Sequence, residues 1–280
     1  MLQLTVPSSD RVYRLEGSPE DLSVVGGIRA NGGIWEPHIT AVMQRYIRPD
    51  SVCLDIGANI GVFTLIMSGL ASNGHVYSFE PSSKNMAFLR QNLVANHVAN
   101  VTPVQIALWD QKCEMEFFYI DELAGCAFIE VESNREAFDR IASVVTQPWM
   151  KKDNLHCRHE LVPCERLDAF VADTGLSRLD WIKLDAEGAE AAVLNGAQET
   201  LARFRPQIIA EFNPACMIHY FARQPRQYFE LLASTHPLIS IIEANGALSH
   251  VPDYSFLEER IENGKGWEDL FCQPASSSAA

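Results

Sequence analysis

The chain has 280 residues, 47% of them hydrophobic, enough to bury one substantial core, so a single α/β domain with additions is expected. Thirty-six acidic against twenty-two basic residues leave a formal charge of −14, which argues against nucleic acid or an anionic membrane as partner. The longest apolar runs are of strand length, residues 1–7 carry no basic leader, and the seven cysteines are scattered without a C-x-x-C pair; a cytoplasmic protein with reduced thiols is expected.

In chain order, residues 1–33 read as a β lead-in, with short β segments at 2–15 and 22–28. Pro37–Tyr46 predicts a helix, because Ile39, Val42, Met43 and Tyr46 recur at spacings of three and four. A strand over 51–56 follows, then a glycine turn at 57–61 and a helix over 62–71. Next come a strand over 75–80, a helix over 83–95 capped by Ser82 or Ser83, and a strand over 101–106. The alternation breaks between Asp110 and Arg166. There 113–119 alternates polar and apolar residues, and 127–131 and 160–164 pair with it or with each other, while 132–154 is mixed polar and helical. This insertion (about 111–166) either covers a ligand crevice or merely extends the sheet. Alternation resumes with a helix over 167–172, a strand over 179–184, a long helix over 189–204 and a strand over 206–212. A helix over 225–234 and a strand over 238–243 complete it, and 247–251 returns antiparallel after the turn Ala244-Asn245-Gly246. The expectation is a doubly wound, mostly parallel sheet with an antiparallel edge strand in a main domain of 34–272, and a disordered tail at 273–280.

The chemistry concentrates where the first strand meets its helix. The pattern Asp55-x-Gly57-x-x-x-Gly61 lets backbone N–H groups approach a ligand at a helix N-terminus. Glu80, at the end of the second strand, is placed to accept both hydroxyls of a ribose. The spacing is not the dinucleotide G-x-G-x-x-G, and no lysine follows Gly61 as a phosphate loop requires. Asp55 would repel a pyrophosphate but suit the ammonium of an amino-acid moiety, so S-adenosylmethionine is favoured over NAD or ATP. At the end of the third strand, Ile106, Ala107 and Leu108 offer an apolar wall for an adenine.

Four segments resemble the FkbM family of S-adenosylmethionine-dependent methyltransferases: GIWEP at 33–37, VCLDIGANIGVFTL at 52–65, FEP at 79–81 and IKLDAEGAEAAVLNG at 182–196. IIAEFNP at 208–214 stands where the family has its next strand. The resemblance implies a Rossmann-like class I methyltransferase fold and O-methylation of a small molecule, sugar or natural-product scaffold. It places cofactor contacts at Glu36, Asp55, Gly57, Ala58, Asn59 and Gly61, at Phe63 and Thr64, and at Glu80, Pro81, Ser82, Ala107 and Asp185. Asp185 is the first choice for a general base, a role that typically contributes about 10²–10⁴-fold, with Glu187 and Glu211 beside it. Glu187 and Glu190 would equally stabilise a first helical turn through its dipole. A second version of the site holds Mg²⁺ on Asp185, Glu211 and Asn213, all oxygen ligands. His219, Tyr220 and His38 read as ordinary surface or core residues. An N- or C-methyltransferase, or an inactive cofactor-binding partner subunit, is the alternative, and the oligomeric state is open.

Overall fold

The computed structural model describes residues 2–129, 156–221 and 224–275; the expectations for 132–154 and for the tail from 276 lie outside them. The lead-in begins as a hairpin, β1 (Leu2–Thr5) against β2 (Val12–Leu15). Its second half departs from expectation: the β segment foreseen at 22–28 is instead the helix α1 (Val24–Ala30). Asp21 decides this by accepting the N–H groups of Ser23 and Val25 at 3.0 and 2.8 Å, and Val24, Val25 and Ile28 then bury one helical face. Local capping outweighs the β preference of the valines.

Helix α2 (Pro37–Tyr46) starts at Pro37 as expected and buries Ile39, Val42 and Met43. The central sheet then builds from β3 (Val52–Ile56), β4 (His75–Phe79), β5 (Val101–Val104), β10 (Trp181–Leu184) and β11 (Gln207–Phe212), all parallel in the order β5-β4-β3-β10-β11. Beyond β11 the order continues β14 (Glu268–Gln273), β12 (Leu238–Ile242) and β13 (Leu248–His250), each antiparallel to its neighbour. The antiparallel edge strand is present as β13. A second antiparallel strand, β14, slips between β11 and β12 and was not foreseen.

Helices cover both faces, as a doubly wound sheet requires. On one side α3 (Val62–Leu70) and α4 (Ser83–Ala95) join α2 over Cys53, Trp181 and Ile209. On the other, α5 (Leu167–Thr174), α6 (Glu190–Asn195), α7 (Gln198–Phe204), α9 (Pro225–Thr235) and α10 (Tyr254–Glu262) pack over Leu54, Ile182 and Ile208. Helix α8 (Pro214–Phe221) follows β11. The single helix expected over 189–204 is divided into α6 and α7. Gly196 marks the break: a Cβ there would stand 2.0 Å from the Trp109 carbonyl oxygen, and its own carbonyl accepts the Asp168 N–H at 3.0 Å. Asp168 then caps α7, its Oδ1 accepting the N–H and hydroxyl of Thr200 at 2.8 and 2.7 Å.

The insertion forms its own sheet in the order β6 (Ala107–Leu108), β9 (Cys157–Glu165), β7 (Cys113–Ile120), β8 (Leu123–Ile129). Strand β7 pairs antiparallel with both β8 and β9, which decides the pairing that the sequence left open. Phe117, Phe118, Ile120 and Val162 bury against Ala189 and Ala192 at the start of α6. Among the described residues no helix is long and apolar enough to cross a membrane.

Candidate active site

The ends of β3 and β10 lie side by side, Ile56 opposite Leu184, and their continuations make the site. Gly57 has φ +81°, and a Cβ there would stand 1.8 Å from the Asp185 carbonyl oxygen, so only glycine passes between the two loops. Gly57 and Ala58 both donate their N–H groups to the Phe79 carbonyl, at 3.0 and 2.9 Å, tying the turn to the end of β4. Asn59 donates its N–H to Glu80 Oε2 at 2.8 Å and Ser82 donates to Oε1 at 2.9 Å. Burial pushes the Glu80 carboxyl up to about 7, against the opposing pull of those two N–H groups.

A cavity of about 290 Å³ opens at these strand ends. Of the expected cofactor residues, Glu36, Gly57, Ala58, Asn59, Phe63, Glu80, Pro81, Ala107 and Asp185 line it, and the expected catalytic acids Glu187 and Glu211 line it too. Four residues lie outside the lining. Asp55 is 1% exposed beneath the turn and does not line the cavity; its Oδ2 accepts the Thr64 hydroxyl at 2.5 Å, and its Oδ1 has no hydrogen-bond partner among the described residues. Thr64 faces inward with it, 2.9 Å from the Ser78 hydroxyl. Gly61, at φ +93°, packs on Leu89, and the Ser82 hydroxyl accepts the Asn85 N–H at 3.3 Å as the cap of α4.

The far end of the cavity holds several carboxyls around one ammonium. Lys183, 4% exposed in β10, places Nζ 2.7 Å from Asp185 Oδ2 and 4.7 Å from the Phe63 ring centre. Burial opposes its charge, but Asp185, Asp55 and Glu36 more than offset this and raise its pKa. Burial, with the charges of Asp269 and Asp185, pushes Glu36 up to about 7 against Lys183 and His38. Glu187 and Glu211 are driven well above the ordinary carboxyl range, first by burial and then by Asp185 and the neighbouring acids. Glu36 and Glu187 also hold left-handed backbones, at φ +36° and +51°. Glu190 braces the turn before α6: its Oε1 accepts the N–H groups of Ala186 and Gly188 at 2.8 and 3.1 Å.

Lys183 is the functional candidate that reasoning from the sequence passed over. Its signal was a charged residue inside an otherwise apolar strand, which must find counter-charges once buried. Trp35 and Phe117, also in the lining, carried no comparable signal.

The metal version of the site does not fit. Carboxyl oxygens of Asp185, Glu190 and Glu211 come within 4.8 Å of one another, and the Asn213 Oδ1 accepts the Cys216 N–H at 3.3 Å. Lys183 already places its ammonium on Asp185, and a dication brought beside it would be repelled. His219 and Tyr220 have side chains outside the described residues.

Three similarities to known proteins bear on this geometry. Residues 55–246 match the Methyltransferase FkbM domain. The chain is 32% identical over 182 residues to the AMB antimetabolite synthetase AmbE of Pseudomonas aeruginosa, covering 58% of this chain and 8% of that protein. It is 25% identical over 186 residues to the 2-O-methyltransferase NoeI of Sinorhizobium fredii, covering 62% and 70% of the two chains. It is 29% identical over 174 residues to the 31-O-demethyl-FK506 methyltransferase FkbM of Streptomyces tacrolimicus, covering 59% and 66%. The chain thus spans less than a tenth of the synthetase and about two thirds of the other two.

Proposed function

The chain belongs to the FkbM methyltransferase family, and from that premise we propose that it transfers a methyl group from S-adenosylmethionine to a hydroxyl of a small molecule or carbohydrate. The observation that carries this reading is one cavity joining Glu80 at one end to Asp185, Glu187 and Glu211 at the other. When bound, S-adenosylmethionine supplies an electrophilic methyl group on a sulfonium. The residues of this chain do the rest. Glu80, which holds the N–H groups of Asn59 and Ser82 and lies beside the Asn85 side chain, offers its remaining acceptor capacity to the ribose hydroxyls. Gly57 lets the turn close against the Asp185 loop at the cavity wall, and Ala107 with Ile106 and Leu108 forms an apolar wall for the adenine.

Asp185, held by Lys183, orients an acceptor hydroxyl and takes its proton, while Glu187 and Glu211 fix the other side of the acceptor. Most of the acceleration comes from holding the hydroxyl in line with the methyl group. The lead-in contributes Ser23 and Val24 to the wall, and the insertion contributes Phe117 and Gly125, so both additions serve the same site. Two of the similar proteins carry an O-methyl group in their names, which supports a hydroxyl acceptor. The charge of −14 favours a neutral or cationic acceptor over nucleic acid.

Calorimetry with S-adenosylmethionine, S-adenosylhomocysteine and NAD tests the cofactor, and a panel of hydroxylated metabolites read by mass for an added methyl group tests the transfer. Binding of NAD alone sinks the proposal.

A further inference from the structure

The deep end of the cavity contains more acid than its single lysine balances. Glu36 before α2, Asp185 and Glu187 after β10, and Glu211 in β11 face it, and Lys183 is the one lysine or arginine among the described residues of the lining. Glu190, whose carboxyl lies within 4.8 Å of those of Asp185 and Glu211, has an Oε2 without a hydrogen-bond partner among the described residues and is 1% exposed. A buried carboxyl oxygen left without a partner suits an incoming positive charge once the group gives up its proton. Behind these acids, Glu36, Lys183, Asp185, Glu211 and Asp269, with Ile39, Leu184 and Ile209, line a small cell of about 10 Å³, the size of one water. Asp269 in turn bonds His38 Nε2 at 2.9 Å, and the His38 side chain is 15% exposed.

We propose that Glu36 and Glu211 make the site distinguish the sulfonium cofactor from its thioether product by proton exchange, one proton leaving the carboxyl cluster as S-adenosylmethionine enters. This rests on the methyl-transfer reading above. The balance closes over a cycle. The carbon–oxygen bond forms as the carbon–sulfur bond breaks, sulfur keeps the electron pair, and the hydroxyl proton stays on the cluster in place of the lost sulfonium charge. The product then leaves a cluster returned to its starting protonation.

The physical cause is the crowding already described. Glu36 faces Lys183, Asp269, Asp185 and His38, while Glu211 faces Asp185, Glu187, Glu190 and Asp269, with the Tyr228 hydroxyl 3.4 Å from its carbonyl. Burial and like charge hold protons on these acids near neutrality, and a fixed cation among them removes the reason.

Calorimetric titration of the whole chain with S-adenosylmethionine and with S-adenosylhomocysteine, at pH 7 in buffers of different protonation enthalpy, counts the protons. Release of roughly half a proton or more per sulfonium cofactor and close to none per thioether is expected, and the Kd ratio of thioether to sulfonium should rise about tenfold from pH 6 to pH 8. The amino group common to both ligands cancels in that ratio. Glu36→Gln and Glu211→Gln should each lower the proton count and flatten the ratio; should either fail to fold, the parent's ratio decides alone. Equal proton counts and a pH-independent ratio overturn the proposal and leave methyl transfer standing. Failure of S-adenosylmethionine to bind overturns both.

Discussion

Glu80 and Asp185 stand at opposite ends of one cavity, so substituting them separates binding from chemistry. Glu80→Ala removes a carboxyl that accepts the ribose hydroxyls in its ionised form and should weaken S-adenosylmethionine by about 1.5–3 kcal/mol, roughly 10–100-fold in Kd, at a pH above about 7. A Kd equal to the parent's, measured by calorimetry, would remove Glu80 from the ribose. Asp185→Asn keeps the shape and deletes the charge; turnover should fall about 10²-fold or more while cofactor Kd changes little. Near-parental turnover would leave alignment alone as the mechanism. Because Lys183 supplies the positive charge at Asp185, EDTA should leave activity unchanged, and loss of activity restored by Mg²⁺ would reinstate the metal version. The strand-end acids were legible because a strand followed by a turn exposes its last residues to a crevice. The inward facing of Asp55 and the burial of Lys183 were not, since which side of a twisted sheet a side chain faces depends on neighbours distant in sequence.

Elements were legible wherever local rules and burial agree. Pro37–Tyr46 and Ser83–Ala95 have the bounds that their periodicity and caps indicate. The helix expected over 189–204 failed at Gly196, where the chain must pass the Trp109 carbonyl. Gly196→Ala brings a methyl group to 2.0 Å from that oxygen and should destabilise by about 1–3 kcal/mol or more, lowering the urea midpoint. A midpoint unchanged from the parent would mean that Trp109 moves freely, contrary to its burial at 5% exposure. Helix α1 was misread for a related reason: valines lean toward strands, and only the Asp21 carboxylate, folded back onto Ser23 and Val25, tips the balance.

For the molecule as a whole, the raised acids make stability depend on pH with a definite sign. Glu36, Glu80 and Glu190 rise to about 7, chiefly through burial, from an ordinary value of 4.5. Each binds a proton in the native state where the unfolded chain has lost it. Their contribution is therefore present in full below about 4.5 and is lost as pH rises through about 7. Burial raises Asp121 but Lys84 and Arg158 more than offset it, and Lys112 with Arg166 holds Glu165 low; both act in the opposite sense and lose their contribution only at more acid pH. The ligand-free protein should therefore melt several degrees higher at pH 5.5 than at pH 8 by calorimetric scan, since about 1 kcal/mol moves Tm by roughly 2–4 °C at this size. A Tm that rises with pH over that interval would show that the cavity acids are not protonated in the native state.

The sequence by itself determined the alternation of strands and helices, the glycine turn after the first strand, and the strand ends on which Glu80, Asp185 and Glu211 stand. Those features are written in period, punctuation and spacing, which act over a few residues. Only the tertiary structure decided that β14 enters between β11 and β12, that the insertion pairs through β7, and that a lysine answers four carboxyls across one cavity. Those outcomes come from pairing and burial between residues far apart in the chain, where the free energy belongs to the packed arrangement and to no single segment.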